Sequence, residues 1–389
     1  MNKVFHYTDA IEGFPGWLVY DGTDCRLAVG GCRVQPGLDE KTLTALAERM
    51  SLKERLLRIN ADGAKCGIDY DPRAPGKAAA LRRFLAFLRT EFAVRFSAGS
   101  DLGTRWPELE RLAALEGIPS VKHRVRAAQE LEEDDFRRRL RSLDEPTGAL
   151  TLGERRAGHA LAHAALTAAR LDGAHRPDVA LQGFGNLGRA AACSLAEAGA
   201  RIVALADEHG TVSNPDGLDT AALLALPPGT PAHTAPSAPR PQAPEAVLDA
   251  PADVLVLAAG ADALPAEKAA RPQAPVVVVG ANHGLAPDVQ RLLTRHGVLV
   301  VPDFVGGAGG SASMEALFGP PRPLPPQAVL DRVTALTAAL VTDIADAARR
   351  AGRPFADVAA DFAARPVPDA GARPYGANPY LTDSLGRHC

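Results

Sequence analysis

A chain of 389 residues with 46% hydrophobic and 23% charged side chains is long enough for two domains, each with a sizeable core. A net charge of -3 gives no electrostatic ground for binding nucleic acid or an anionic membrane. No run reaches the roughly 18 apolar residues of a membrane span, and the opening MNKVFHYTDAIEGFPGW lacks the apolar core of a signal peptide. Five scattered cysteines without a CxxC pair read as reduced thiols in a cytoplasmic protein, with no metal centre.

In chain order, GWLVYD (16–21) and CRLAVGGCRV (25–34) read as extended segments. Residues 39–59 set Leu43, Leu46, Met50 and Leu57 at helical spacing. A second amphipathic helix over 77–92 carries Leu81, Phe84, Leu85 and Leu88 on one side. Between the two helices, ADGAKCGIDYDP (61–72) reads as a glycine-rich turn carrying Lys65. Only seven of the 43 basic residues are lysines, so Lys65 stands out in an arginine-rich chain. A buried lysine can have its pKa drawn toward neutrality and exchange a proton, whereas arginine stays charged.

The charged segment 127–148 precedes a small-residue helix over 152–171 and places a domain boundary near residue 145. From Pro177 the pattern changes to short, nearly continuous apolar strands: 178–185, 200–207, 252–260, 274–282 and 297–305. Strands of that kind are buried on both faces, as in a parallel sheet alternating with helices. The Pro-rich stretch Leu226–Pro244 reads as an extended loop. Helical pattern returns over 327–352, and the Pro-, Gly- and Arg-rich residues 364–389 read as a flexible tail.

Within the second half, Gly183, Gly185 and Gly188 have GxGxxG spacing between an apolar strand and a helix. A second strand ends in Asp207, about 20 residues beyond, as a dinucleotide fingerprint requires. Gly183 permits the tight turn, Gly185 the backbone approach to the pyrophosphate, and Gly188 the close packing of helix on strand. Asn186 and Leu187 open the helix whose N–H groups face the phosphates. Asp207 would accept from ribose hydroxyls and repel a 2′-phosphate, which favours NAD over NADP, although His209 beside it weakens that exclusion.

Several motifs follow one another along the chain: VGGCRV (29–34), MSLK (50–53), GAKCGIDYDP (63–72), SDLGT (100–104), LQGFGNLG (181–188), SNPDGLD (213–219), GAN (280–282) and VPDFVGGAGG (301–310). With them the chain resembles the glutamate/leucine/phenylalanine/valine dehydrogenases. The resemblance implies an α/β fold of two domains. These are an N-terminal substrate-binding and dimerisation domain (1–145) and a C-terminal NAD-binding Rossmann domain (146–325). C-terminal helices (326–363) would pack back on the first domain. It also implies roles: Lys53 for the substrate α-carboxylate, Lys65 as the catalytic lysine, Asp101 as the proton shuttle to the amino group, and Asn282 at the cofactor. Read alone, Lys53 could be a solvated helix lysine, Lys65 a loop cation, and Asp101 a turn residue before a helix capped by Thr104.

The glutamate branch has a lysine at the position of Val29, next to Gly30, and a serine at that of Met314. Two apolar side chains there would leave an acidic substrate's second carboxylate unpaired. The expected activity is therefore NAD-dependent oxidative deamination of a non-acidic L-α-amino acid, or its reverse, by a homo-oligomer closest to the leucine/valine/phenylalanine branch. A specialised reductive aminase or imine reductase, or a non-catalytic NAD-binding regulator, are the alternatives. Departures from the family pattern are Asp62, Glu54, Arg55, Leu56, Ala157, Leu257, Val279 and Gly307. Asp62, three residues before Lys65, would raise that lysine's pKa if its carboxylate faces it, and would leave the loop as in its relatives if it turns away.

Overall fold

The structure, a computed structural model, describes residues 3–367 and 369–381. Its first sheet comprises β1 (Lys3–Thr8), β2 (Pro15–Asp21), β3 (Ala28–Val34), β4 (Asp62–Ile68) and β5 (Phe96–Ser100) in the spatial order β1-β2-β4-β3-β5. Strands β3, β4 and β5 run parallel, and β1 and β2 add antiparallel at one side. Helix α1 (Glu40–Leu56) covers one face. Asp39 caps it by accepting from the Thr42 amide at 2.8 Å, and Leu43, Leu46 and Ala47 are buried beneath it. Helices α2 (Lys77–Phe87), α3 (Arg89–Val94), α4 (Trp106–Leu115) and α5 (His123–Ala128) also belong to this unit. Leu81, Phe84 and Leu85 of α2 bury against Leu18, Ala64, Cys66 and Ile68. Each such side chain contributes about 2 kcal/mol of burial. The helix foreseen over 77–92 is divided at Leu88 between α2 and α3.

The glycine-rich turn expected around Lys65 is instead β4, a central and fully buried strand. Its glycines serve close packing. A Cβ on Gly63 would lie 2.3 Å from the Ala47 carbonyl oxygen of α1, and one on Gly67 would lie 2.5 Å from that of Arg33. Neither residue has a positive φ.

After α6 (Glu133–Arg141) a two-residue hairpin, β6 (Pro146–Thr147) and β7 (Leu150–Thr151), leads into α7 (Leu152–Leu171). A capping box between Thr151 and Glu154 starts that helix. The second sheet has the order β10 (Gly210–Ser213), β9 (Arg201–Asp207), β8 (Asp178–Gln182), β11 (Val254–Leu257), β12 (Val276–Val279), β13 (Leu299–Val301). All neighbours are parallel except β10 on β9. This is the doubly wound order 3-2-1-4-5-6 with its first edge strand reversed. The connecting helices are α8 (Asn186–Glu197), α9 (Thr220–Ala225), α10 (Ala266–Ala269), α11 (Pro287–Arg295), α12 (Asp303–Gly306) and α13 (Gly309–Phe318).

Among the described residues two compact units result, 3–138 with 363–367 and 369–378, and 139–362 with 379–381. The C-terminal helices α14 (Pro326–Ala351) and α15 (Phe355–Ala363) were expected to return to the first domain. Nearly all of this pair belongs to the second unit, where α14 buries Leu330, Val333, Leu336 and Leu340 and packs on α7 and α13. The chain that returns is the segment read as a tail. Asn60 donates from its backbone to the Pro374 carbonyl and from Nδ2 to that of Arg373, both at 3.1 Å. Gln129 donates to the Tyr375 carbonyl at 2.9 Å and accepts from its amide at 3.0 Å. These anchors are polar side chains more than 240 residues away, which tail composition cannot reveal. The rest of that expected tail, 382–389, lies outside the described residues. Among the described residues no helix is long and apolar enough to cross a membrane.

Candidate active site

Side chains along a strand alternate between faces. In β3 this puts Val29, Gly31 and Arg33 on one face, and in β4 Gly63, Lys65 and Gly67. The parallel register sets Val29 beside Gly63 and Arg33 beside Gly67. Asp101, just past β5, comes to the same face. Lys65 Nζ lies 2.8 Å from Asp101 Oδ2, and Arg33 Nε lies 3.0 Å from that same oxygen. Arg33 Nη2 reaches Oδ1 at 3.4 Å. Burial alone would raise the Asp101 carboxyl. The neighbouring Lys65 ammonium and Arg33 guanidinium overcome that and hold it well below the usual carboxylate range. The resulting stability is present above the unfolded value near 4 and is lost only as pH falls through the lowered one.

Thr104 does not cap α4, whose N-cap is Arg105. Its hydroxyl accepts from the Asp101 amide at 2.9 Å and donates to the Cys32 carbonyl at 2.8 Å, which ties the Asp101 turn to β3. Lys53 is 5% exposed near the end of α1, with Glu54 buried beside it, so it is no solvated helix lysine. Val29 is partly buried. Gly30 points to the other face, where a Cβ would strike the Ala64 carbonyl oxygen at 1.8 Å.

Of the two orientations open to Asp62, the structure shows the one turned away from Lys65. An offset of three residues along a strand puts the two on opposite faces. Its carboxylate pairs with Arg95 and accepts from the Cys25 amide at 2.8 Å.

Gly31 and Arg33 carried no role in the sequence reading, yet the alternation of VGGCRV places both beside the pair. A Cβ on Gly31 would meet Asp101 Cβ at 2.8 Å and Lys65 Nζ at 3.1 Å. Gly31→Ala is expected to displace this contact and lower kcat about 100-fold, with cofactor affinity unchanged. Steady-state kinetics together with a cofactor titration would check this.

In the second unit Gly183 has φ +99 and its missing Cβ faces the Ala258 backbone at 2.7 Å, at the crevice between β8 and β11. A Cβ on Gly188 would lie 1.8 Å from the Gly183 carbonyl oxygen, whereas Gly185 faces open space. Gly185 is the N-cap of α8 and no side chain caps that helix. The amides at its start, beginning with Asn186 and Leu187, are thus open to an anion, and this cradle fits a dinucleotide pyrophosphate.

Asp207 ends β9 as foreseen, but its oxygens are already engaged. Oδ1 accepts from the His209 amide at 2.7 Å and the Gly210 amide at 3.1 Å, and Oδ2 accepts from the Ala232 amide at 2.6 Å. A ribose would share that carboxylate with three backbone donors. Asn282 is partly buried just past β12, and Met314 is buried on α13. Ala157 touches the start of that helix, where a Cβ on Gly309 would lie 2.6 Å from its carbonyl oxygen.

Comparison with known proteins adds an independent line. The profile described as Glu/Leu/Phe/Val dehydrogenase, dimerisation domain matches residues 3–111, and that described as Glutamate/Leucine/Phenylalanine/Valine dehydrogenase matches 156–356. The chain belongs to this family. It is an amino-acid dehydrogenase that acts on a CH–NH2 group with a nicotinamide cofactor.

Among its relatives is the NADP-specific glutamate dehydrogenase A1 of Halobacterium salinarum, 31% identical over 72% of this chain and 66% of that protein. A glutamate dehydrogenase of Thermotoga maritima is 30% identical over 77% and 71% respectively. Among solved structures, a hetero-hexameric glutamate dehydrogenase from Thermus thermophilus in a leucine-bound form shares 27% identity. It has a TM-score of 0.76 and covers 93% of this chain and 87% of its own. The enzyme from Peptoniphilus asaccharolyticus, at 18% identity and TM-score 0.66 over 93% and 88%, shows the same fold. These relatives are glutamate dehydrogenases rather than members of the leucine/valine/phenylalanine branch that Val29 and Met314 suggested.

Proposed function

We propose that the protein oxidises a non-acidic, apolar L-α-amino acid to its 2-oxo acid and ammonia, or runs the reverse reductive amination, with NAD preferred over NADP. The observation that carries this reading is the 2.8 Å contact of Lys65 with Asp101 on a buried, glycine-lined face. Bound nicotinamide would accept the hydride from Cα. Lys53 holds the α-carboxylate as a fixed cation. The ionised Asp101 takes a proton from the substrate ammonium, so that the nitrogen lone pair can drive hydride departure and leave an iminium. Lys65 exchanges a proton with the water that attacks this iminium. In balance, amino acid, oxidised cofactor and water give 2-oxo acid, ammonium, reduced cofactor and a proton. Copies of the chain would associate through the first unit, which matches the dimerisation-domain profile.

The substrate class rests on Val29 and Met314, both apolar where a second carboxylate would need a cation and a hydroxyl. Kinetics with leucine, valine, phenylalanine and glutamate test it: the apolar substrates should have the higher kcat/KM. In the double variant Val29→Lys with Met314→Ser, the ratio for glutamate over leucine should rise about tenfold or more. A wild type that prefers glutamate would refute the substrate class. A second reading, a leucine-sensing subunit without turnover, has in its favour the hetero-hexameric, leucine-bound relative and the replaced positions Ala157 and Gly307. The intact contact between Lys65 and Asp101 favours turnover.

A further inference from the structure

Arg33 belongs to the strand face that carries Lys65, and only backbone lies opposite it in register, at Gly67. Its guanidinium grips both oxygens of Asp101, at 3.0 and 3.4 Å, while Nη1 donates to Gln35 Oε1 at 3.2 Å. The Arg33 and Asp101 side chains are each 15% exposed. Lys65 has a single point contact with Oδ2. Arginine's planar fork sets the plane of a carboxylate, which an ammonium alone cannot do.

We propose that Arg33 is a positioning residue acting through Asp101, fixing that carboxylate's plane and keeping it ionised so that one oxygen stays directed at Lys65 and the other is available to the substrate amine. The proposal rests on the amino-acid dehydrogenase reading and adds to it a residue that acts through Asp101.

The groups that act on Asp101 can be named from each strand beside it. They are Arg33 from β3 and Lys65 from β4; the Cys66 thiol of β4, kept neutral by burial and the adjacent Cys32, adds no charge. Removing Arg33 leaves a buried carboxylate with one cation. Burial then gains ground, and Asp101 binds a proton at higher pH than before. A protonated Asp101 can neither take the ammonium proton nor hold Lys65. The acid limb of kcat/KM therefore moves to higher pH in Arg33→Gln. Arg33→Lys restores the charge without the fork and falls between that variant and wild type. A brace that only stabilises β3 would lower the melting temperature and leave the limb in place.

Two readouts on the whole protein separate these outcomes. The first is the carboxylate stretch of carbon-13-aspartate-labelled protein, followed by infrared difference spectroscopy across pH, with Asp101→Asn identifying the Asp101 band. The second is the pH profile of kcat/KM. The expected result is an upward shift of about one pH unit or more in both for Arg33→Gln, with a smaller shift in Arg33→Lys. An unmoved Asp101 band in both variants overturns the proposal. The infrared titration needs no turnover. A wild type inactive on every amino acid would therefore sink the dehydrogenase reading while the band still decides the role of Arg33.

Discussion

Lys65→Ala is expected to lower kcat about a thousandfold or more, with the fold intact and cofactor affinity within about twofold of wild type. The lysine is 3% exposed on a central strand and meets Asp101 at 2.8 Å, whereas the GxGxxG cradle belongs to the second unit. Lys65→Arg should rescue little. A guanidinium keeps the charge and could still pair with Asp101, but it cannot give up its proton near neutral pH. Stopped-flow kinetics with a cofactor fluorescence titration would separate the two effects. Full activity in Lys65→Arg would mean that the site needs only a cation, and proton exchange at Lys65 would be refuted.

The second large effect is on stability. Arg95→Ala should destabilise the protein by about 3 kcal/mol or more, because it leaves the Asp62 carboxyl, 4% exposed, without its ion-pair partner. Asp62→Asn should be milder, since a side-chain oxygen can still accept from the Cys25 amide. In both variants the pH profile of whatever activity remains should match wild type, because Asp62 and Lys65 lie on opposite faces of β4. Urea denaturation reads the stability, provided unfolding is reversible. A shifted pH profile in Asp62→Asn would show that the two groups are coupled after all.

Elements with strong local signals were legible in the sequence. The apolar runs of the second half became β8, β9, β11, β12 and β13, and the GxGxxG spacing became a strand–turn–helix with an open amide cradle. Lys65 and Asp101, 36 positions apart, are each marked by a motif of their own and meet at 2.8 Å. What stayed hidden needed pairing information. Gly63 and Gly67 suggested a turn because glycine most often signals one, but here it allows α1 and β3 to approach β4 closely. With that strand unrecognised, its alternation was lost, and with it the direction of Asp62 and the companionship of Gly31 and Arg33. The return of residues 363–378 depends on Asn60 and Gln129, distant polar side chains that no local pattern connects to a Pro- and Arg-rich terminus. Val29 and Met314 are only two positions, whereas overall similarity reports the whole chain. The relatives are glutamate dehydrogenases even though these two residues are apolar.

The most direct measurement follows a label from Cα. Purified protein would be incubated with NAD or NADP and a panel of L-amino acids deuterated at Cα, and the reduced cofactor, ammonia and 2-oxo acid would be quantified by mass spectrometry. For an apolar member of the panel, deuterium should appear on the nicotinamide ring, with ammonia and 2-oxo acid formed in equal amounts to the reduced cofactor. No labelled cofactor with any amino acid, and no cofactor oxidation with the matching 2-oxo acids and ammonia, would contradict the account.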